Sequence, residues 1–344
     1  MRAVVFHGPG AKAWEEVPDP KIEDDEDVIV QIDAATICGT DLHILKGDVP
    51  EVEPGRVLGH EAVGTIVETG VGVRNRRVGD RVLLSCITSC GRCPSCKHGR
   101  YGLCTGGGGW LFGHLIDGVQ AELARVPFAD TSTYVVPEGL SDEQVLYLAD
   151  ILPTGYEVGV LNGDVQPADV VAIVGAGPIG LAALIGSRLY TPRHVLVIDP
   201  AEARRAAAAR FGADSVAHPD EAKQAVDQLT DGRGADVVIE AVGIPETFQQ
   251  CCELVRPGGR LANVGVHGQP VTLHLEELWI KGVTITTGLV DTFSVPTLLD
   301  LIAAGRIDPV AFTSHRFALA DAMDAYDTFA RAAETDALKV VMTR

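Results

Sequence analysis

Residues 169–187 read DVVAIVGAGPIGLAALIGS, an apolar run that leads into a glycine-rich turn. The run Asp169–Val174 has the composition of a buried β-strand. It is followed by Gly175-Ala176-Gly177-Pro178-Ile179-Gly180, a G-x-G-x-x-G match that opens a helix, and this context makes the match informative. Gly175 permits the tight turn, Gly177 lets a pyrophosphate approach the backbone, and Gly180 lets helix and strand pack closely. The stretch predicts a dinucleotide site at a helix N-terminus.

Asp199 ends the next apolar strand, 19 residues after Gly180, and Arg204 lies five positions further along the chain. A carboxylate at Asp199 can accept hydrogen bonds from the adenosine ribose hydroxyls and would repel a 2′-phosphate, which favours NAD over NADP. Arg204 could contact the ribose or the pyrophosphate, or it could simply be a solvated helix-surface arginine. We therefore expect NAD as the cofactor, with NADP less favoured.

From about Pro153 onward, apolar strands alternate with helical stretches. The expected strands are Val170–Val174, Val195–Ile198, Val237–Ala241 and Arg260–Val264, and the expected helices include Ala201–Phe211 and Glu221–Leu229. This alternation predicts an α/β fold with a parallel, doubly wound sheet. The first half instead carries short β-rich runs between Gly and Pro turns, which predicts a β-rich, partly barrel-like domain.

Composition and charge restrict the class of protein. The chain has 344 residues, of which 46% are hydrophobic, and 28 basic residues face 47 acidic ones for a net charge of −19. A chain this apolar can form a buried core, and a charge this negative opposes binding to nucleic acid or to anionic membranes. The sequence also lacks a long apolar run or a secretory leader, so we expect a cytoplasmic protein with no membrane partner.

Four cysteines lie close together in the first half, with the spacing Cys90-x2-Cys93-x2-Cys96-x7-Cys104. Four thiolates suffice for a closed tetrahedral zinc site that stabilises a loop and performs no chemistry. An iron–sulfur cluster would use the same ligands and remains an alternative. The spacing predicts a structural zinc site.

A second set of ligand-type residues is dispersed along the chain: Cys38, His60, Glu61 and Asp150. Taken singly, a lone Cys or His is usually a core or surface residue, and Asp150 could cap the segment that follows it. From spacing alone, a second zinc is the weaker interpretation.

Together these motifs resemble the zinc-dependent alcohol dehydrogenase family of the medium-chain dehydrogenase superfamily, in the family's order and over essentially the whole chain. The segments Cys38-Gly39-Thr40-Asp41-Leu42-His43 and Gly59-His60-Glu61 resemble its two catalytic-zinc segments. The resemblance implies a GroES-like catalytic domain at 1–152 with a structural-zinc lobe, a Rossmann domain at 153–290, and a C-terminal segment at 291–344 that completes the catalytic domain.

The resemblance also implies a second, catalytic zinc held by Cys38, His60 and Asp150, with Glu61 close behind and able to join the ligands. Many relatives have a cysteine where this chain has Asp150, which leaves the substrate preference open. A Cys/His/carboxylate set still suits zinc. A zinc with an open coordination position would bind and polarise the substrate hydroxyl. The carbon that bears this hydroxyl could then transfer hydride to the nicotinamide.

Further residues match positions to which the resemblance gives roles, although each also has an ordinary structural interpretation. Thr40 and His43 would pass the released proton through the cofactor ribose to solvent, and both could instead make loop hydrogen bonds. The remaining matches are Thr154 and Val242-Gly243 beside the nicotinamide, and Cys86 and Trp110 as walls of the substrate pocket.

The expected function is reversible hydride transfer between NAD and a primary or secondary alcohol, giving an aldehyde or ketone. A polyol (sorbitol-type) or L-threonine dehydrogenase is the nearest alternative, because the Cys-Gly-Thr-Asp-Leu-His segment also occurs there. A zinc-free quinone or enone reductase would lack the catalytic ligands, and a nucleic-acid-binding zinc module is opposed by the charge. The resemblance further implies a homotetramer, or a dimer.

Overall fold

A computed structural model of the whole chain, residues 1–344, contains fifteen β-strands. In chain order they are β1 Arg2–Phe6, β2 Lys12–Glu16, β3 Val28–Thr36, β4 Ala62–Thr69, β5 Arg81–Leu84, β6 Leu123–Val126, β7 Thr133–Val135, β8 Val170–Val174, β9 His194–Ile198, β10 Ser215–Ala217, β11 Ala235–Glu240, β12 Val255–Asn263, β13 Thr284–Thr287, β14 Thr313–Ala318 and β15 Lys339–Thr343.

Thirteen α-helices connect or cover these strands, and several are single turns. They are α1 Gly39–Lys46, α2 Pro94–Lys97, α3 Ala129–Ser132, α4 Asp142–Leu146, α5 Ile151–Thr154, α6 Pro178–Arg188, α7 Glu202–Arg210, α8 Ala222–Thr230, α9 Pro245–Leu254, α10 Leu275–Leu278, α11 Val295–Ala303, α12 Ala322–Ala330 and α13 Ala332–Thr335. A π-helix follows at Gly155–Leu161, and 3₁₀ turns lie at Tyr101–Leu103, Pro219–Glu221, Pro309–Phe312 and Leu319–Asp321. None of these helices combines the length and the apolar character needed to cross a membrane.

The chain divides into two units. One comprises Met1–Asp150 and Asp291–Arg344, and the other comprises Ile151–Val290. The boundary expected after residue 152 falls two residues later than this division.

The Ile151–Val290 unit is built on a six-stranded parallel sheet of order β10-β9-β8-β11-β12-β13. The strand order reverses at β8. The chain adds β9 and β10 on one side of β8, and then β11, β12 and β13 on its other side. All five residues of β8 are buried, as expected for a parallel strand covered on both faces. In such sheets ligands bind beyond the carboxyl ends of the strands at the reversal point, which is where the glycine motif lies.

The other unit is organised around a sheet of order β14-β15-β3-β4-β5-β7, with β6 also paired to β3. β14 and β15 are parallel, and the other neighbours are antiparallel. The C-terminal strand β15 pairs with β3 through Met342↔Ala35, so residues from both ends of the chain share one sheet. Its core includes Ile32, Ile66 and Leu84 from the strands and Tyr326 from α12.

Candidate active site and metal centres

The four-cysteine loop places its sulfur atoms at metal-ligating distances. The Sγ atoms of Cys90, Cys93, Cys96 and Cys104 all lie within 4.8 Å of one another. The Cys90–Cys96 and Cys93–Cys104 pairs are each 4.0 Å apart, close to the ~3.8 Å that a tetrahedron with zinc–sulfur bonds of ~2.3 Å requires. Gly106 is required here, because an added Cβ would lie 2.4 Å from the Cys90 sulfur.

Backbone N–H groups of the same loop stabilise thiolates. Cys104 Sγ accepts from the N–H groups of Cys90 and Gly106, each at 3.4 Å. The N–H of Cys96 donates to Cys93 Sγ, and this bond is the main reason that the pKa of Cys93 falls to about 5. Because a thiolate is the form that binds metal, these bonds favour Cys93 and Cys104 as ligands, whereas burial raises the pKa of Cys96 to about 12.

The second ligand set is brought together by the pairing of three strands. Cys38 follows β3, His60 and Glu61 precede β4, and β4 pairs with both β3 and β5. Asp150 reaches the same end of the sheet because Ala149 O accepts the N–H of Cys86, just beyond β5. Residues far apart in sequence therefore meet at one sheet end.

The ligand atoms of this second set also lie within 4.8 Å of one another. Asp150 Oδ2 is 3.4 Å from Cys38 Sγ and 3.4 Å from His60 Nε2. The four residues are 9% exposed or less, and Glu61 Oε2 is buried without a hydrogen-bond partner. Burying carboxylates and a thiol together is unfavourable unless a cation compensates them. A thiolate, imidazole and carboxylate set fits zinc.

Burial and the neighbouring charges shift the pKa values of Cys38 and His60. Burial, then the charge of Asp150, raises the pKa of the Cys38 thiol. Burial lowers the pKa of His60, but its interactions with Asp150 and Cys38 raise it well above the usual value overall. Because the raised pKa favours the protonated Cys38 thiol, metal binding at this cluster would release that proton.

Lys339 is a buried partner of this site that the sequence did not reveal. Its Nζ donates to Glu61 Oε1 at 2.6 Å and to Ile37 O at 2.8 Å, and both charged side chains are at most 1% exposed. Lys339 is the first residue of β15, where the only sequence signal was a charged residue in an apolar strand. It holds Oε1 of Glu61, and Oε2 is left without a hydrogen-bond partner.

Thr40 and His43 lie on α1, directly after Cys38. Thr40 Oγ1 is 3.7 Å from Cys38 Sγ. His43 Nδ1 lies 2.8 Å from Asp48 Oδ2, a partner that sequence reasoning missed. The helix ends at Gly47, whose φ of 87° turns the chain so that the N–H of Asp48 donates to His43 O. This turn places the Asp48 carboxylate beside the imidazole.

Trp110 and Cys86 lie beside the second ligand cluster. The Trp110 ring meets His60 edge-on, with centroids 6.4 Å apart, and stacks on His114 at 4.2 Å. Cys86 is buried and its backbone is bonded to Ala149, the neighbour of Asp150. Trp110 therefore places an apolar ring beside one residue of the ligand cluster.

The glycine motif of the parallel-sheet unit has the geometry that its sequence predicts. Gly175 has φ of 101°, and Gly177 caps α6 with Pro178 in its first turn. An added Cβ at Gly180 would lie 1.8 Å from Gly175 O, whereas one at Gly177 would meet nothing within 4 Å. The turn is thus closed on its helix side and open where a pyrophosphate would approach.

Asp199 has a role in this turn that the sequence did not suggest. It follows β9, and its Oδ2 accepts the N–H of Ala176 at 2.8 Å, while Oδ1 accepts from Ala201. Arg204 is half-buried in the first turn of α7, and the neighbouring Arg205 donates to the Asp199 and Pro200 carbonyls. The carboxylate therefore shapes the glycine turn, a function compatible with a ribose contact.

The other expected cofactor contacts lie at ends of elements in the same unit. Val242 is 43% exposed beyond β11, and Gly243 has φ of 89° with its N–H donated to Glu240 Oε1. Thr154 is half-buried at the junction of α5 and the π-helix.

Two protein families match the chain. The family described as alcohol dehydrogenase GroES-like domain matches residues 24–138, and the family described as zinc-binding dehydrogenase matches residues 178–304. The first range contains every residue of the two ligand clusters except Asp150, and the second begins at Pro178, within the glycine motif.

Individual relatives extend over nearly the whole chain. Zinc-dependent alcohol dehydrogenase 2 from Streptococcus pneumonia is 45% identical, with a TM-score of 0.96 over 100% of this chain and 98% of that one. An alcohol dehydrogenase of Cupriavidus necator is 36% identical over 96% of this chain and 95% of its own. An L-threonine 3-dehydrogenase of Thermococcus kodakarensis is 33% identical over 85% of this chain and 83% of its own.

Solved relatives carry either nicotinamide cofactor. One from E. coli, complexed with NADH, is 27% identical with a TM-score of 0.89 over 100% of this chain and 99% of its own. One from Sinorhizobium meliloti, bound to NADP, is 28% identical with a TM-score of 0.85 over the same shares. The predictions of the family and of the GroES-like plus Rossmann α/β fold are confirmed, and the chain belongs to the zinc-type alcohol dehydrogenase family of medium-chain oxidoreductases.

Proposed function

We propose that this oxidoreductase is an NAD-dependent alcohol dehydrogenase that interconverts a primary or secondary alcohol with its aldehyde or ketone. The observation that carries the proposal is the buried cluster of Cys38, His60, Glu61 and Asp150, in a chain that also has an intact dinucleotide turn. Cys38, His60 and Asp150 would hold one zinc, and Glu61 could join these ligands. The four-cysteine loop would hold a second zinc. A polyol or L-threonine as substrate remains the alternative, and the Thermococcus kodakarensis relative supports keeping it.

Zinc, when bound, supplies a Lewis acid that lowers the pKa of the substrate hydroxyl, and NAD supplies the hydride acceptor. The chain itself provides the surroundings for this chemistry. The Trp110 ring beside His60 would exclude water from the substrate carbon, and the small buried side chain of Cys86 would leave room for substrate.

Thr40 and His43 provide the route by which a proton leaves. The Thr40 hydroxyl lies at the ligand cluster, and His43 is about one-third exposed, so it can exchange protons with solvent. In a neutral His43 whose Nδ1–H donates to Asp48 Oδ2, Nε2 is left as the proton acceptor. We assign the two residues to proton transfer through the cofactor ribose.

Replacing His43 with alanine should lower turnover by about 10²-fold at neutral pH, within the usual range for a positioned acid–base group. Added imidazole should restore part of the loss, because a small base can replace the missing side chain. Steady-state kinetics with and without imidazole measure this effect. Full turnover in the variant without imidazole would show that solvent accepts the proton directly.

We propose NAD as the preferred cofactor because the Asp199 carboxylate at the glycine turn would repel a 2′-phosphate. Zinc content per chain, together with NADH and NADPH formation over simple alcohols, polyols and L-threonine, tests the whole assignment. Two zincs with NADH formation from simple alcohols would support it. Two zincs with turnover of polyols or threonine alone would keep the mechanism and change the substrate, and faster NADPH formation would overturn the cofactor assignment.

We also propose that the protein is a cytoplasmic homo-oligomer, a tetramer or a dimer. The reducing cytoplasm keeps the zinc-ligating thiols reduced. Strand β13 is the outer strand of the parallel sheet, and Trp279 and Ile280 just before it are each 74% exposed. A second copy placed edge to edge would pair these strands and cover both apolar side chains in a symmetric contact.

Replacing Trp279 with glutamate should therefore shift the protein to a smaller species in sedimentation equilibrium. Val71 is 89% exposed in the other unit, so Val71→Glu is a matched control that should leave the mass unchanged. An unchanged mass for Trp279→Glu would place the subunit contact elsewhere.

A further inference from the structure

A chain of buried polar side chains runs from helix α12 to the proposed catalytic zinc ligands. The Tyr326 hydroxyl donates to Gln120 Oε1 at 2.7 Å, and Gln120 Nε2 donates to Asp41 Oδ2 at 3.0 Å. Asp41 Oδ2 also accepts the N–H of Cys38 at 2.9 Å. Tyr326, Gln120 and Asp41 are each at most 1% exposed, so water does not compete for these bonds.

The chain ends on two buried atoms that face each other. Asp41 Oδ1 and His60 Nδ1 have no hydrogen-bond partner, and they lie 3.7 Å apart. The other imidazole nitrogen, Nε2, points into the ligand cluster toward Asp150. A movement of less than 1 Å would let Nδ1–H donate to Asp41, and metal-ligating histidines usually donate this second N–H to a carboxylate or a carbonyl.

Gln120 can hold Asp41 in only one way. Its amide oxygen is occupied by the Tyr326 hydroxyl, and its amide nitrogen donates both to Asp41 and to Thr36 O at 3.1 Å. A flipped amide would place its oxygen against the Asp41 carboxylate, where it has no hydrogen to offer. The Tyr326 hydroxyl therefore helps to fix the orientation of the Gln120 amide that donates to Asp41.

Gln120 is also bound to the segment that carries His60. Its backbone N–H donates to Leu58 O, and an added Cβ at Gly59 would lie 2.4 Å from Gln120 Cγ. The residue before His60 thus rests directly on the Gln120 side chain. Side chain and backbone of Gln120 both constrain the position of the imidazole.

We propose that Tyr326 and Gln120 are positioning residues for the catalytic zinc, which they stabilise by holding Asp41 in place to receive the Nδ1–H of His60. This inference rests on the zinc site proposed above. It assigns a metal-retaining role to a tyrosine whose hydroxyl is linked to the zinc-ligand segment through Gln120 and Asp41.

The test is the rate at which each zinc leaves the fully loaded protein in the presence of excess 4-(2-pyridylazo)resorcinol. Tyr326→Phe should speed release of the catalytic zinc about 10-fold or more, in line with the effect of losing groups that orient a metal ligand. The zinc of the four-cysteine loop is an internal control and should leave at the wild-type rate. Cys38→Ser and Cys96→Ser identify which phase belongs to which ion.

Tyr147→Phe is the matched control variant. Tyr147 is as buried as Tyr326 and its hydroxyl bonds to Thr313 Oγ1 at 2.7 Å, away from Asp41. Removing this hydroxyl should leave the rate of catalytic zinc release unchanged. In a Gln120→Met background the Tyr326→Phe change should add little further acceleration, because the connection to Asp41 is already broken.

Equal release rates for Tyr326→Phe and wild type would overturn the inference. So would an acceleration shared by both zincs or by Tyr147→Phe, because that result indicates general loosening of the fold. A wild-type chain that holds only the four-cysteine zinc would instead refute the proposed catalytic site, and this inference with it.

Discussion

Replacing Cys38 with serine should remove one zinc per chain and lower turnover by about 10³-fold or more, equivalent to the several kcal/mol that a Lewis acid contributes. A serine hydroxyl stays neutral near pH 7 and is a poor zinc ligand beside His60 and Asp150. NAD binding should persist, because the glycine turn belongs to the separate Ile151–Val290 unit. Metal analysis, NAD titration and steady-state kinetics on one preparation measure all three quantities.

Cys252→Ser is the control for this prediction. Cys252 is a half-buried thiol of the parallel-sheet unit, packed against its core and outside both ligand sets. This variant should keep two zincs and near-wild-type turnover. Retention of both zincs and of turnover in Cys38→Ser would remove Cys38 from the proposed metal site.

The features that the sequence predicted well are local. The glycine turn spans six consecutive residues, and the backbone conformation at Gly175 and the close contact at Gly180 follow from steric limits that sequence spacing already encodes. The four cysteines lie on one short loop, so their spacing alone indicated a metal site. Strand β8 was predicted with its observed bounds because a buried parallel strand is a continuous apolar run.

The second ligand set could not be assembled from spacing. Cys38, His60 and Asp150 meet only because β4 pairs with both β3 and β5, and strand pairing over such separations depends on the whole sheet. The family resemblance supplied what the residues alone left open. For the same reason the bond from Gln120 to Asp41 was invisible in the sequence.

Element bounds failed where the local pattern was irregular. The strand expected at Arg260–Val264 is β12, Val255–Asn263, because its pairing with β11 continues past an irregularity to Ala235↔Val255. Pro257, Gly258 and Gly259 interrupt the apolar pattern there, so periodicity detected only the second part of the strand. The pairing of β12 with β11 therefore includes residues whose intrinsic propensity favours a turn.

Lys339 is the residue whose loss we expect to affect folding most. Lys339→Met removes the ammonium that lies 2.6 Å from Glu61 Oε1 and leaves a buried carboxylate without its counter-charge. Breaking a buried ion pair on one side typically destabilises a protein by about 3–5 kcal/mol. Denaturant unfolding of the zinc-free protein at pH 7 should show a loss of this size.

The Lys339 side chain should carry its charge at that pH. Burial lowers the pKa of Lys339, but the charges of Glu61 and Cys38 raise it more, and the net pKa lies above its usual value. A raised lysine pKa gives stability that is fully present below the unfolded value of about 10.4 and is lost as the pH rises through the folded pKa. The difference between wild type and Lys339→Met should therefore persist from pH 7 to pH 9.

The double variant Lys339→Met with Glu61→Gln separates the missing charge from the missing side-chain packing. With both partners neutral, no charge is left buried, so most of the lost stability should return, as it does when buried ion pairs are replaced by uncharged groups of similar size. Saturating zinc should also recover part of the stability of the single variant, because the cation compensates Glu61 in place of Lys339. A single variant as stable as wild type, or a double variant no more stable than the single one, would show that Lys339 supports β15 through packing alone.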